Sequence, residues 1–136
     1  ETVFWDVQND VLGKNVAGLK RRGFRIEVDD FGTGHSSVTS LLKMLPQGFK
    51  IDRSLVQATT CSPENLRLLA TIAEVGHALK IDVCAEGIEN EQQLANAISI
   101  GCTRFQGYLL GRPMSKEALS AFVAAGAAPV QSQKTG

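Results

Sequence analysis

The chain has no surplus of charge of either sign, with 14 lysines and arginines against 14 aspartates and glutamates. That balance excludes a global field drawing the surface to nucleic acid or anionic lipid, so a nucleotide-like ligand must be held by local groups. No binding of a DNA or RNA duplex is expected. Cysteine is scarce and odd in number (Cys61, Cys84, Cys102), and none falls in a C-x-x-C spacing, which argues against metal and dithiol motifs. Reduced thiols in a cytoplasmic setting are expected. Also lacking are a signal peptide and any apolar run of membrane-spanning length, so any anchor would lie elsewhere in a longer parent protein. What remains, 136 residues with 43% hydrophobic content, suits one domain, or one piece of a domain, with a core of its own.

What is present is a repeated arrangement. Four short apolar runs each end in acidic or amide groups: Val28-Asp29-Asp30-Phe31-Gly32-Thr33-Gly34, Phe49-Lys50-Ile51-Asp52, Val83-Cys84-Ala85-Glu86-Gly87-Ile88-Glu89 and Phe105-Gln106-Gly107-Tyr108. Each is followed by a helical pattern. Strands that all deliver polar groups at their carboxyl ends describe the mouth of a β/α barrel.

Residues 8–22 place Val11, Leu12, Val16 and Leu19 at helical spacing, and Gly23 follows Lys20-Arg21-Arg22 as a terminator would. Residues 24–28 alternate Phe24, Ile26 and Val28 with Arg25 and Glu27, the period of a strand. Ser36-Ser37 offers a cap for a helix carrying Val38, Leu41, Leu42 and Leu45, which Pro46 ends, and a second strand covers 48–51. Ser62 and Pro63 open the longest helix, whose stripe is Leu66, Leu69, Ile72, Ala73 and Leu79. A third strand is expected over 81–85. Asn90 and Gln93 form a capping box for a helix through Leu94, Ala97 and Ile98 that Gly101 terminates. A fourth strand lies near 103–106, and Ser115 caps a last helix bearing Leu119, Phe122 and Val123. Residues 127–136 have no periodic apolar face and read as a disordered tail or appended remnant.

The order is one helix and then four β/α units, which implies parallel strands with right-handed crossovers. Such a sheet can be covered by helices on one side only if it curves. The expected fold is therefore α/β, a TIM-type barrel represented by about four β/α units, a half-barrel with two edge strands.

At that mouth the sequence sets Asp29, Asp30, Asp52, Glu86 and Glu89 with one ammonium, Lys50. Two carboxylates about 4 Å apart repel by on the order of 4 kcal/mol at an effective dielectric near 20, so the set calls for cations. Oxygen donors select hard ions, Mg²⁺ or Mn²⁺, and a pair of ions about 3.5–4 Å apart suits phosphoryl displacement. Lys50 fits as a point charge for a phosphate oxygen or the attacking water, and Gln106 as a neutral group orienting water or a nucleobase edge. A single acid at a strand end is most often a helix cap or a solvated charge. Four strand ends of this kind at one structural level point to a shared site. Asp30-Phe31-Gly32 also matches the magnesium-binding triplet of protein kinases, but no glycine-rich strand-turn-strand or His-Arg-Asp loop accompanies it. Gly32 and Gly34 serve a tight turn or cradle a phosphate. His77 reads as a surface or packing residue, His35 as a neighbour of the acidic mouth, and Phe4 and Trp5 as core.

These motifs, Asp29-Asp30-Phe31-Gly32-Thr33-Gly34-x-Ser36-Ser37, Leu45-Pro46 with Lys50-Ile51-Asp52-Arg53-Ser54, Ala85-Glu86-Gly87-Ile88-Glu89, and Gln106-Gly107-Tyr108 with Arg112-Pro113, closely resemble the C-terminal half of the EAL-domain family. Those are bacterial phosphodiesterases that open cyclic di-GMP to linear pGpG on a TIM-type barrel with two Mg²⁺ or Mn²⁺ ions. The resemblance runs from Glu1 to about Val123 and makes 1–126 the C-terminal portion of such a domain. It implies that Asp29 and Asp30 are metal ligands, that Lys50 assists the attacking water, that Glu86 is the general base, and that Gln106 holds water and ligand. Glu89 and Asp52 would be supporting contacts. Residues 31–37, with Gly32, Thr33 and Gly34, resemble the loop that couples ligand and dimer contacts to the metals, and Glu1 resembles the glutamate that steadies it. Glu27 stands where the family usually has a small apolar residue, and His35 where it usually has an aromatic one.

The Glu-Ala-Leu signature, an asparagine ligand and a further glutamate belong to the first half of that domain, preceding Glu1. The segment alone is therefore expected to be inactive. The resemblance also implies a homodimer formed through the EAL domain and a sensory or GGDEF-type domain in the parent protein. Two other readings remain open at this level: a receptor that binds cyclic di-GMP without cleaving it, and a half-barrel used for dimerisation.

Overall fold

A computed structural model of the chain describes residues 10–32, 41, 42 and 44–126. Helix α1 (Asp10–Arg21) is followed by strands β1 (Glu27–Phe31) and β2 (Gly48–Ile51), then helices α2 (Arg53–Ala58) and α3 (Pro63–Leu79), strand β3 (Asp82–Ala85), helix α4 (Glu91–Ser99), strand β4 (Arg104–Phe105) and helix α5 (Lys116–Ala124). The strands form one sheet in the order β1-β2-β3-β4, parallel throughout.

Most boundaries follow from local chemistry. Gly23 takes φ +84 and its N–H bonds the Lys20 carbonyl, closing α1. Ser62 accepts from the Asn65 N–H with Pro63 at the first turn of α3. The Asn90–Gln93 capping box opens α4, and Ser115 caps α5. The first strand departs from expectation: it runs Glu27–Phe31 rather than 24–28. Phe24 is exposed, and ladder pairing begins only at Glu27 opposite Gly48. The aspartates, poor strand formers on propensity, are inside the strand because β2 pairs with the residues on either side of them, Val28 and Phe31. Helix α2 was not anticipated. Leu41, Leu42 and Met44 are helical, as expected ahead of Pro46, whereas the proposed Ser36-Ser37 cap, His35, Phe4, Trp5 and the 127–136 tail lie outside the described residues.

Register separates the two faces of the sheet. Val28, Phe49 and Val83 stand side by side in one row and Phe31, Ile51, Ala85 and Phe105 in another, facing the helices. With Leu41, Val56, Leu69, Ala73, Ile88 and Ala97 these rows form the core; the Phe31 and Phe49 ring centroids are 4.8 Å apart. The opposite face carries Glu27, Gly48 and Asp82 in one row and Lys50, Cys84 and Arg104 in the next. Charge, not hydrocarbon, covers it: Arg25 Nε pairs with Glu27 at 2.8 Å, Arg25 also pairs with Asp82, and Arg104 reaches Glu27. Cys84 is buried within that face, and burial pushes its thiol up; burial also pushes the Cys102 thiol up to about 12.

Helix α3 crosses the sheet at Gly76, where an added Cβ would lie 2.2 Å from Val83 Cγ2 and 3.1 Å from Phe49 Cε1. Gly76→Ala is therefore expected to destabilise the chain by about 1–3 kcal/mol through overpacking, outweighing a helix-propensity gain of up to about 1 kcal/mol. Urea denaturation reads the difference, and an unchanged midpoint would contradict this packing.

Candidate metal and catalytic site

The site begins with a miscount between two strands. Val28 stands opposite Phe49 and Phe31 opposite Ile51, so Asp29 and Asp30 together face the single residue Lys50. This is a β-bulge. In a regular strand the two carboxylates would point to opposite faces. Here Asp30 adopts φ +49, a left-handed conformation that aspartate tolerates better than most residues, and one oxygen from each of Asp29, Asp30 and Glu86 comes within 4.8 Å of the others. Gly32, at φ +104 and against the Leu55 side chain, turns the chain away directly afterwards.

Lys50 reaches up between the acids. Its Nζ bonds Asp29 Oδ1 at 3.0 Å and pairs with Glu86 Oε1. The Glu86 carboxylate, seconded by Asp29, holds the Lys50 ammonium well above the usual lysine range despite partial burial. Glu86 follows β3 with its N–H on the Ile51 carbonyl at 3.2 Å. Gly87, at φ +69, lies on the stem of Arg53, with space for no side chain: a Cβ would meet Arg53 Cγ at 2.3 Å.

Gln106 follows β4. Its N–H bonds the Ala85 carbonyl at 2.9 Å and its carbonyl accepts from the Ile88 N–H at 3.0 Å. The next residue must be glycine, because a Cβ on Gly107 would fall 2.1 Å from the Ile88 carbonyl oxygen. The loop bearing Gln106 is thus laid across the loop bearing Glu86.

Of the residues singled out in the sequence, Asp29, Asp30, Glu86 and Lys50 are brought together and Gln106 emerges at the same carboxyl edge of the sheet. Asp52 is placed differently: its carboxylate caps α2, accepting from the Ser54 N–H at 2.8 Å and from the Ser54 hydroxyl. Glu89 faces Arg53 at 3.5 Å, and its N–H donates to Gln93 Oε1. Thr33, Gly34 and Glu1 lie outside the described residues. Sequence reading missed Arg53, which touches both Gly87 and Glu89; its place in Lys50-Ile51-Asp52-Arg53 was the available signal.

Chemically, the cluster is three oxygen donors, two of them paired with the Lys50 ammonium. Such a donor set fits a hard divalent ion and not a soft one, and Lys50 supplies the positive charge that the carboxylates require among themselves.

Residues 2–113 match a family model described as EAL domain. The chain is 38% identical over 106 residues to the bifunctional diguanylate cyclase/cyclic di-GMP phosphodiesterase MucR of Pseudomonas aeruginosa, covering 78% of this chain and 16% of MucR. Among solved structures, the EAL domain of Mycobacterium smegmatis DcpA superposes with a TM-score of 0.81 at 30% identity, covering 87% of this chain and 53% of that one. The manganese/cyclic di-GMP complex of Klebsiella pneumoniae BlrP1 superposes with a TM-score of 0.71 at 32% identity, covering 76% and 26%. The chain thus spans about half of the solved DcpA EAL domain and a smaller part of MucR.

Two measurements follow from this geometry. Asp52→Asn keeps the cap, since Asn and Asp are equivalent there, but removes its titration. The Ser54 hydroxyl and N–H hold the Asp52 carboxyl below its usual range, so its stabilisation is complete above the unfolded value near pH 4 and is lost as pH falls through the lower native value. Urea midpoints taken from about pH 6 to about pH 2 should therefore fall less in Asp52→Asn than in wild type; parallel curves would refute the coupling. Lys50→Met removes the ammonium that pairs with Asp29 and Glu86 and is expected to tighten Mn²⁺ binding about tenfold at low salt, read by electron paramagnetic resonance. Weaker binding in that variant would show that Lys50 does not compete for the acids.

Proposed function

Because the chain belongs to the EAL domain family, we propose that it supplies half of the site of a phosphodiesterase that hydrolyses cyclic di-GMP to linear pGpG. Its four parallel β/α units are part of a TIM-type barrel, and the site sits at the carboxyl ends of the strands, where such barrels carry their chemistry. The observation that carries the reading is the convergence of Asp29, Asp30 and Glu86 on one 4.8 Å cluster with Lys50 bridging two of them.

Asp29 and Asp30 would hold Mg²⁺ or Mn²⁺, which when bound neutralises phosphate charge and acidifies water. Glu86, the more enclosed acid, takes the proton of the attacking water at a carboxylate oxygen. Water oxygen bonds to phosphorus, one ribose oxygen leaves, and that alkoxide gains a proton, so that one cyclic dinucleotide and one water give one pGpG. Lys50 anchors the Glu86 carboxylate and presents a positive charge toward the phosphate. Gln106, with both a donor and an acceptor on its amide, orients the water and the ligand. The chain spans about half of the DcpA EAL domain, and with only part of such a domain's ligand set it is expected to turn over little by itself. MucR, named for two activities and much longer than this chain, supports a parent protein with an attached GGDEF-type or sensory domain. A homodimer through the EAL domain is part of the same proposal.

In a longer protein carrying this segment, Glu86→Gln should lower pGpG formation by roughly 10²–10⁴-fold, the span of general acid-base catalysis, while cyclic di-GMP binding persists. Undiminished turnover removes Glu86 from the role. Binding without any pGpG in the unaltered protein identifies a receptor instead.

A further inference from the structure

The charge layer beneath the mouth is tied to the site by register. Glu27 lies two residues before Asp29 on β1, and Arg104 two residues before Gln106 on β4. Residues two apart on extended chain share a face. Glu27 and Arg104 therefore stand one pleat below the acid of the first strand and the amide of the fourth, and they pair with each other across the whole width of the sheet. Within the sheet β4 is held from β3 alone, by its own ladder and by the Thr103 and Gln106 N–H groups on the Val83 and Ala85 carbonyls. It has only two residues and two register partners on β3, Cys84 opposite Arg104 and Ala85 opposite Phe105, and helix α5 behind it contains no buried residue.

We propose that Glu27 and Arg104 are positioning residues, a clamp thrown from the first strand to the fourth that sets how far Gln106 stands from the Asp29–Asp30–Glu86 cluster. Glu27 suits the task because it is held from its own strand as well: Arg25 Nε donates to the same Oε1 that receives Arg104. Arg25, chiefly, and then Arg104 keep the Glu27 carboxyl below its usual range. Arg25 in turn is braced on Asp82 and on the Gln47 carbonyl at 3.3 Å, so the anchor at β1 is fixed to the edges of β2 and β3. The purpose of the clamp rests on the role proposed above for Gln106; its mechanical effect does not, and is measured without substrate or metal.

Amide hydrogen exchange on the 136-residue chain tests it, with the Gln106 and Ile88 N–H groups as local reporters and amides of α3 as the global reference. Glu27→Ala should speed exchange at Gln106 and Ile88 roughly fivefold, the effect of losing a partly exposed ion pair, and leave α3 unchanged. Arg25→Gln, which loosens the anchor but leaves the Glu27–Arg104 pair, should speed both reporters less than Glu27→Ala does. Arg104→Lys should keep most of the protection, and the reversed pair Glu27→Arg with Arg104→Glu should restore it. Should Glu27→Ala not fold, Glu27→Gln carries the same comparison. Unchanged reporters in the folded Glu27 variant, acceleration equal to that in α3, or no recovery in the reversed pair would each overturn the clamp.

Discussion

Two residues of β1 occupy the place opposite one residue of β2, and the chemistry of this chain depends on that mismatch. Without it Asp29 and Asp30 would be divided between the helix-facing core and the open face, and a charge would be forced among Phe31, Phe49 and Ile51. With it, both acids leave the core together. The cost is a left-handed aspartate, of the order of 1 kcal/mol, and it is borne in a short strand whose other residues are well paired. Strain of this kind concentrates where function over-determines the backbone.

The bulge also decides what must stand opposite. One side chain faces two carboxylates, with a third arriving after β3, and a long cation can reach more than one of them from a neighbouring strand. Lys50 pairs with Asp29 and Glu86 from a row it shares with Cys84 and Arg104. The same face thus changes character along the strands: the acids Glu27 and Asp82 with their arginine partners at the bottom, Lys50 and Arg104 in the next row, and an acidic cluster at the top. Charge imbalance grows toward the mouth, where a dication would meet it.

Much of this was legible in the residues. Strand-end acids, glycine terminators and the Ser62, Asn90 and Ser115 caps fixed most of the elements because those signals act within one turn of chain. The start of β1 was not legible, since Phe24, Ile26 and Val28 alternate well enough to be a strand by themselves; only pairing with Gly48 decides where the ladder begins. Helix α2 was hidden for a similar reason, its six residues being too few to show a period, and the cap that Asp52 supplies to it through Ser54 was hidden with it. The Glu27–Arg104 pair joins positions 77 apart in sequence, and no local pattern announces such a contact. Shared motif spacing placed Asp29, Asp30, Lys50 and Glu86 in one site, but the means by which adjacent aspartates face the same way required the backbone.

The contact of Gly107 with the Ile88 backbone has a consequence for how this surface can change over generations. With no room between the two loops, an insertion or a larger residue in either displaces the other, so the segments carrying Glu86 and Gln106 can only drift as a unit. The lock extends past Tyr108: the Leu109 N–H donates to the Ile88 carbonyl at 3.0 Å, and Arg112 stacks on the Tyr108 ring at 4.5 Å. A substitution in one loop is then expected to be tolerated only together with an accommodating change in the other.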